Sequence, residues 1–202
     1  MEKFTSPEEM LSEIRQLMER SSRFISLSGL SGVLAGVYAM LGVFAASYYV
    51  FGEGSRPPLS IGDAVTFLVI VAGAVVVLAV GTGVFLTTRK ARKDGNSIFD
   101  GAARKLIINL CIPLIAGGIF CLALIYHQHW LYIAPAMLIF YGLALVNASK
   151  YTRNDIRSLG IAELAIGLIA LFATPYGLWL WALGFGVFHI LYGTYMYVKY
   201  EK

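Results

Sequence analysis

Charge is what this sequence has least of. Only 14% of its 202 residues are Asp, Glu, Lys or Arg, where an average soluble domain carries roughly 25%. Too few charges remain to cover a water-facing surface, which excludes an ordinary soluble domain. Cysteine is nearly absent as well. Cys111 and Cys121 stand ten residues apart inside one apolar run, so they read as small hydrophobes and offer neither a disulfide framework nor a metal-ligand spacing. No nucleotide loop, nucleophile elbow, zinc-protease motif or haem-attachment motif occurs, so no catalytic residue is assigned and no cofactor is implied.

Apolar sequence fills the space. The hydrophobic share is 58% and the mean hydropathy +0.71. Six apolar runs, 24–51, 61–88, 106–126, 130–147, 156–174 and 178–198, each approach the roughly 20 residues that a helix needs to cross a bilayer. The fifth is short and carries Glu163, so hydropathy alone supports it least. The expected fold is all-α: a six-helix transmembrane bundle over 24–202, built as three in-out-in hairpins, preceded by a cytoplasmic segment over 1–23.

That first segment is too long and too acidic for a secretory leader. Ser6 followed by Pro7, Glu8 and Glu9 reads as a helix start: a capping hydroxyl, a proline at the first helical position, and acids against the positive end of the helix dipole. Met10, Leu11, Ile14, Leu17 and Met18 share one face, which predicts an amphipathic helix on the membrane surface or under the bundle. The alternative is a solvated tail.

The basic residues set the orientation. Fifteen of the 16 lie in the first segment, in the second and fourth connections or at the C-terminal end, and Arg56 alone lies opposite. By the positive-inside rule both ends are cytoplasmic, in the plasma (inner) membrane of a bacterial type of cell. The cluster from Arg89 to Lys93, with Arg104 and Lys105, most simply holds its loop at an anionic leaflet. It is too short to argue for nucleic acid, so the lipid bilayer is the expected partner.

The last two hairpins are similar in length, and a shift of 51 positions superposes Trp130 on Trp181, Ile139 on Ile190, and Tyr141-Gly142 on Tyr192-Gly193. This suggests a duplicated unit arranged around an axis along the membrane normal.

One feature has chemical content. Glu163 lies inside the fifth apolar run and His189 inside the sixth, thirteen residues before and thirteen after Tyr176 in the turn between them. At a rise of about 1.5 Å per residue both fall roughly 20 Å below that turn. A carboxylate is costly to place at that depth and calls for a partner or a task. Paired with an imidazole, it could hold and release a proton or bind a small cationic or hydrogen-bonding ligand. Equally, the two groups could simply lock the hairpin. His189, Tyr192, Tyr195 and Lys199 recur at helical spacing below the pair, and Asn147 could face them from the fourth helix. The expected binding set is therefore Glu163, His189, Tyr192, Tyr195 and Asn147. The lowest tyrosines read equally as headgroup anchors. His127 and His129 in the opposite turn lack further ligands nearby in sequence, so no metal site is expected.

The run from Ile166 to Phe172, then Pro175, Gly177, Leu180-Trp181-Ala182-Leu183-Gly184 and Tyr192-Gly193, resembles the repeat of HdeD-type bacterial membrane proteins, which are also six helices in hairpins. The resemblance implies a stress-related membrane protein without known catalytic residues, so it assigns no site. Two functions follow as expectations: a carrier or sensor that handles a small ligand or proton inside the bundle, or a non-catalytic scaffold acting through a cytoplasmic protein partner.

Overall fold

In a computed structural model of the chain, residues 10–11, 27–50, 60–93 and 101–202 are described. Of the predicted amphipathic segment only Met10 and Leu11 fall within them, helical and exposed, and the rest lies outside the described residues. The described residues form six long helices and no strand. These are α1 (Gly29–Val50), α2 (Ile61–Lys93), α3 (Gly101–Tyr126), α4 (Ile133–Ala148), α5 (Asp155–Phe172) and α6. Helix α6 is continuous but wound in three ways: α-helical over Gly177–Trp181, a π-helix over Ala182–Phe188, and α-helical again over His189–Tyr200. Single 3₁₀ turns, Trp130–Tyr132, Ser149–Tyr151 and Thr174–Tyr176, begin or end the helices of the last two hairpins.

Five of the six are long and apolar enough to cross a membrane. Helix α5 is the exception, for a specific reason: its 18 residues include Asp155, Arg157 and Glu163. The outward surface fits the same reading, because Leu41, Phe44, Val77, Phe85, Ile112 and Ile119 are all exposed, a pattern that belongs in lipid rather than water. Hydroxyls in these helices bond back to their own backbone, Ser47 to Val43, Thr82 to Leu78 and Thr194 to Ile190. These three hydroxyls are thereby satisfied without water.

Where water gives no drive to bury apolar faces, helices associate through close contact, and that favours small residues. Two glycine seams organise the bundle. In the first, α1 crosses α6: a methyl added at Gly36 would stand 2.6 Å from the Gly186 carbonyl, and one at Gly193 would stand 2.7 Å from the Gly29 carbonyl. In the second, α4 crosses α5: a methyl at Gly142 would stand 2.7 Å from the Gly160 carbonyl. The paired Tyr-Gly dipeptides of the sequence shift thus do the same job, each glycine lying in a seam with a neighbouring hairpin. Helix α3 packs on α4, where Gly117 makes room for Phe140. Among the described residues helix α2 packs mainly on α1, and Ala91 is its only buried residue.

Ala91 belongs to a small cluster with Ala102, Ala103, Leu106 and Ala148 at the end of the bundle where most basic residues gather. There Glu201 Oε1 accepts from the Gly29 backbone N–H at 2.5 Å and from Lys90 Nζ at 2.9 Å. Lys90 also donates to the Leu27 carbonyl. A few residues away Asp155 accepts from Tyr200 at 2.7 Å and from Lys199 at 3.3 Å, and Arg153 stacks over the Tyr200 ring. At the opposite end the α3–α4 turn closes with Gln128 at φ 62°, its own N–H donating to the Ile125 carbonyl and that of His129 to the Leu124 carbonyl. This is the arrangement that normally ends a helix in glycine.

Candidate functional site: a buried carboxylate and imidazole

Glu163 projects from the buried face of α5, which also carries Leu159, Gly160, Ile166, Gly167 and Ala170. Its side chain is fully buried, 0% exposed, and Oε1 lies 3.3 Å from His189 Nδ1 on α6. The equal count from the turn at Tyr176 therefore corresponds to a real meeting in space.

The π-helix makes that meeting possible. Gly184 and His189 are five residues apart, which on an α-helix is about 140° around the axis at 3.6 residues per turn. Winding by i→i+5 brings residue 189 back above residue 184. The two then face one another, and the Gly184 carbonyl accepts from His189 Nδ1 at 3.1 Å. Gly184 has a second task. The Glu163 carboxylate lies directly against its Cα, so that an added methyl would strike Glu163 Oε2 and stand 2.5 Å from Leu138.

The tautomer of His189 follows from its partners. A carbonyl oxygen only accepts, so Nδ1 carries the hydrogen that points at Gly184 and, at slightly longer range, at Glu163. In the neutral ring Nε2 is then an acceptor, and the Tyr141 hydroxyl donates to it at 2.7 Å. Tyr141, Phe185 and His189 form an aromatic layer, with Phe185 nearly parallel to the imidazole at 5.8 Å and 4.9 Å from Tyr141. Trp181 continues the layer against Phe185.

Polar atoms are left over. Among the described residues, neither oxygen of Glu163 has a hydrogen-bond partner, and the same holds for the buried Tyr192 hydroxyl and Trp181 Nε1. Buried polar atoms are nearly always paired, so a carboxylate with both oxygens left over is unusual. They give the site the capacity to accept or donate hydrogen bonds beyond those it already makes. His189 and Glu163 can also exchange one proton with no change in their joint charge, while a second proton leaves the pair at +1.

The expected binding set divides in space. Glu163 and His189 meet, while Tyr192 packs one helical turn from His189 against Leu145, Ile156 and Leu159. Asn147 turns away and donates to Asn109 on α3 at 2.9 Å, while Tyr195 is exposed and accepts from Lys199 at 2.6 Å. Tyr141, Gly184, Phe185 and Trp181 were not among the residues expected at the site. Tyr141 had a signal in its alignment with Tyr192, and Gly184 and Gly186 hinted at irregular winding. His127 and His129 lie stacked at 6.5 Å in the far turn, and among the described residues no three His, Cys, Asp or Glu side chains gather as metal ligands. Compared with known proteins, the chain matches no family model, no curated protein and no solved structure.

Proposed function

We propose that this membrane protein is a carrier or sensor that holds and releases a proton or a small hydrogen-bonding ligand between Glu163 and His189. The observation that carries the proposal is the full burial of Glu163 with neither oxygen hydrogen-bonded among the described residues and His189 Nδ1 3.3 Å from one of them. An ionisable group kept at such a cost inside apolar helices is a functional site by default. In the same reading all six helices cross a plasma membrane as in-out-in hairpins with both ends cytoplasmic. The placement of 15 of 16 basic residues supports this, as does the gathering of Lys90, Arg153 and Lys199 at the end that holds Glu201 and Asp155. The amphipathic segment before α1 would lie on that cytoplasmic face.

The test is the thermal stability of the purified protein and of Glu163→Gln, measured across pH and against a panel of small ligands. The wild type is expected to show a pH-dependent or ligand-dependent change in melting that the variant lacks. A variant that melts earlier by the same amount at every pH, with no ligand acting on either protein, makes the pair a structural lock. The scaffold reading, in which the cytoplasmic face engages a protein partner, then replaces this one.

A further inference from the structure

The surroundings of Glu163 are closed by atoms on every described side: Gly184 Cα against the carboxylate, Leu138 beyond it, His189 at 3.3 Å, and the aromatic layer of Tyr141, Phe185 and Trp181. A ligand that fits there without repacking must be very small. Below the pair, towards the basic end, Tyr192 follows His189 by one turn of α6 and packs with Leu145, Ile156 and Leu159 from α4 and α5. Leu159 and Ile156 are one and two turns of α5 below Glu163, and Asp155 begins that helix. The Tyr192 hydroxyl is buried and without a hydrogen-bond partner among the described residues. Tyr141, which is bound to His189, packs against that same cluster, and Asp155 adjoins its Ile156 in the chain.

We infer that the cargo of this site is a proton, and that Tyr192 relays it between Glu163 and the Asp155–Tyr200–Lys199 network at the basic end. The inference rests on the reading of Glu163 given above and adds to it the identity of the cargo and its route. An unpaired hydroxyl between two polar clusters, in a wall otherwise made of leucine, isoleucine and phenylalanine, is suited to passing a proton, since it is both donor and acceptor. A proton arriving from the Asp155 end bonds to the Tyr192 oxygen as the hydroxyl's own proton moves on towards Glu163, with water bridging any step too long for a direct hydrogen bond. Tyrosine ends as it began, the carboxylate becomes a carboxylic acid, and no electrons are transferred.

The groups that face this route are His189 from α6 and Tyr141 from α4 at the inner end, with Tyr192 from α6 packed next to them. At the outer end they are Asp155 from α5, Arg153 from the preceding turn, and Tyr195, Lys199 and Tyr200 from α6. Tyr141 and Tyr192 thus have different parts. Tyr141 is bound to His189 and sets the balance of the pair, whereas Tyr192 is unbound and sets the rate at which a proton reaches it.

The test follows the carboxyl C=O band of the full-length protein by infrared difference spectroscopy, at equilibrium across pH and after a rapid pH jump. In the wild type a band from a buried protonated carboxyl is expected to grow as pH falls, and Glu163→Gln should lack it. Tyr192→Phe should keep the midpoint of that titration while slowing uptake at least about tenfold, and Tyr141→Phe should move the midpoint. A band that is missing in the wild type, or that persists in Glu163→Gln, overturns the proton reading of Glu163 and the relay with it. A normal band with unchanged uptake in Tyr192→Phe, or with only a shifted midpoint, overturns the relay alone. Should Tyr192→Phe fail to fold, Asp155→Asn tests the same route from its entrance: slowed uptake supports the relay, and unchanged uptake overturns it.

Discussion

The Tyr141 hydroxyl lies 2.7 Å from His189 Nε2, joining two helices across 48 residues of sequence. Because the other ring nitrogen is committed to the Gly184 carbonyl, this bond decides whether the imidazole is satisfied at both ends. Tyr141→Phe removes the hydroxyl and leaves Nε2 buried without its donor. A loss of about 1–3 kcal/mol is expected from one orphaned buried polar atom, read as a lower melting temperature in detergent. The effect should vanish in a His189→Phe background, where no nitrogen remains to be orphaned.

Gly184 and Gly81 make a matched pair. A methyl at Gly184 would strike the Glu163 carboxylate and stand 2.5 Å from Leu138, whereas nothing lies within 4 Å of one at Gly81 on α2. Gly184→Ala should therefore cost about 1–3 kcal/mol through overpacking and disturb the ion pair. Gly81→Ala should be neutral or stabilising by up to about 1 kcal/mol, because alanine is the better helix former. Parallel thermal unfolding of the two variants checks both signs.

Glu201 caps α1 from a distance. Its Oε1 accepts from the Gly29 N–H and from Lys90 at once, joining α1, α2 and the end of α6. Glu201→Gln keeps the shape but removes the charge, and should cost about 1 kcal/mol, as loss of a helix cap does. High salt should reduce the difference only in part, since Lys90 and Glu201 are each about six-sevenths covered, at 13% and 15% exposure.

Asp155 gives a pH dependence at the same end, where Tyr200, next to Glu201 in the chain, donates to it. Partial burial works against its charge, but the hydrogen bonds from Tyr200 and Lys199 and the nearby Arg153 outweigh that and hold its carboxyl below the usual aspartate range. A lowered folded-state value means the unfolded chain binds the proton more readily. The stabilisation is thus complete above the unfolded-state value and fades as pH falls through the folded-state one. With both partners partly exposed, it should amount to no more than about 1 kcal/mol. Asp155→Asn should flatten that acidic slope by lowering stability at neutral pH by up to about 1 kcal/mol while changing little in strong acid, as melting curves from neutral to strongly acidic pH would show.

The apolar runs locate the helices well, because a backbone in lipid has to close its own hydrogen bonds and few structures do that. They misplace helix ends in a regular way. The run over 61–88 belongs to a helix reaching Lys93, and the run over 106–126 to one starting at Gly101, since helices extend past the apolar layer into polar surroundings. Counting residues from a tight turn brought Glu163 and His189 to one depth, as two antiparallel helices of equal rise require. The π-helix was beyond that arithmetic. Helices that are apolar on every side carry no period to read, so a change from 3.6 residues per turn leaves no trace in hydropathy. Asn147 shows the same limit: depth is legible from sequence, but the direction a side chain takes, here towards Asn109, depends on which neighbour arrives.

The bond between Gly29 and Glu201 also bears on how the chain is assembled. The two residues are separated by 172 positions, and at about 5–20 residues per second of synthesis the cap follows its helix by roughly 9–34 s. Helix α1 is thus synthesised with that donor unmet and without its glycine partner α6, which follows four other described helices in the chain. The α1–α6 seam therefore has to wait for the last of the described helices, and until then the small-residue face of the first has no partner in α6.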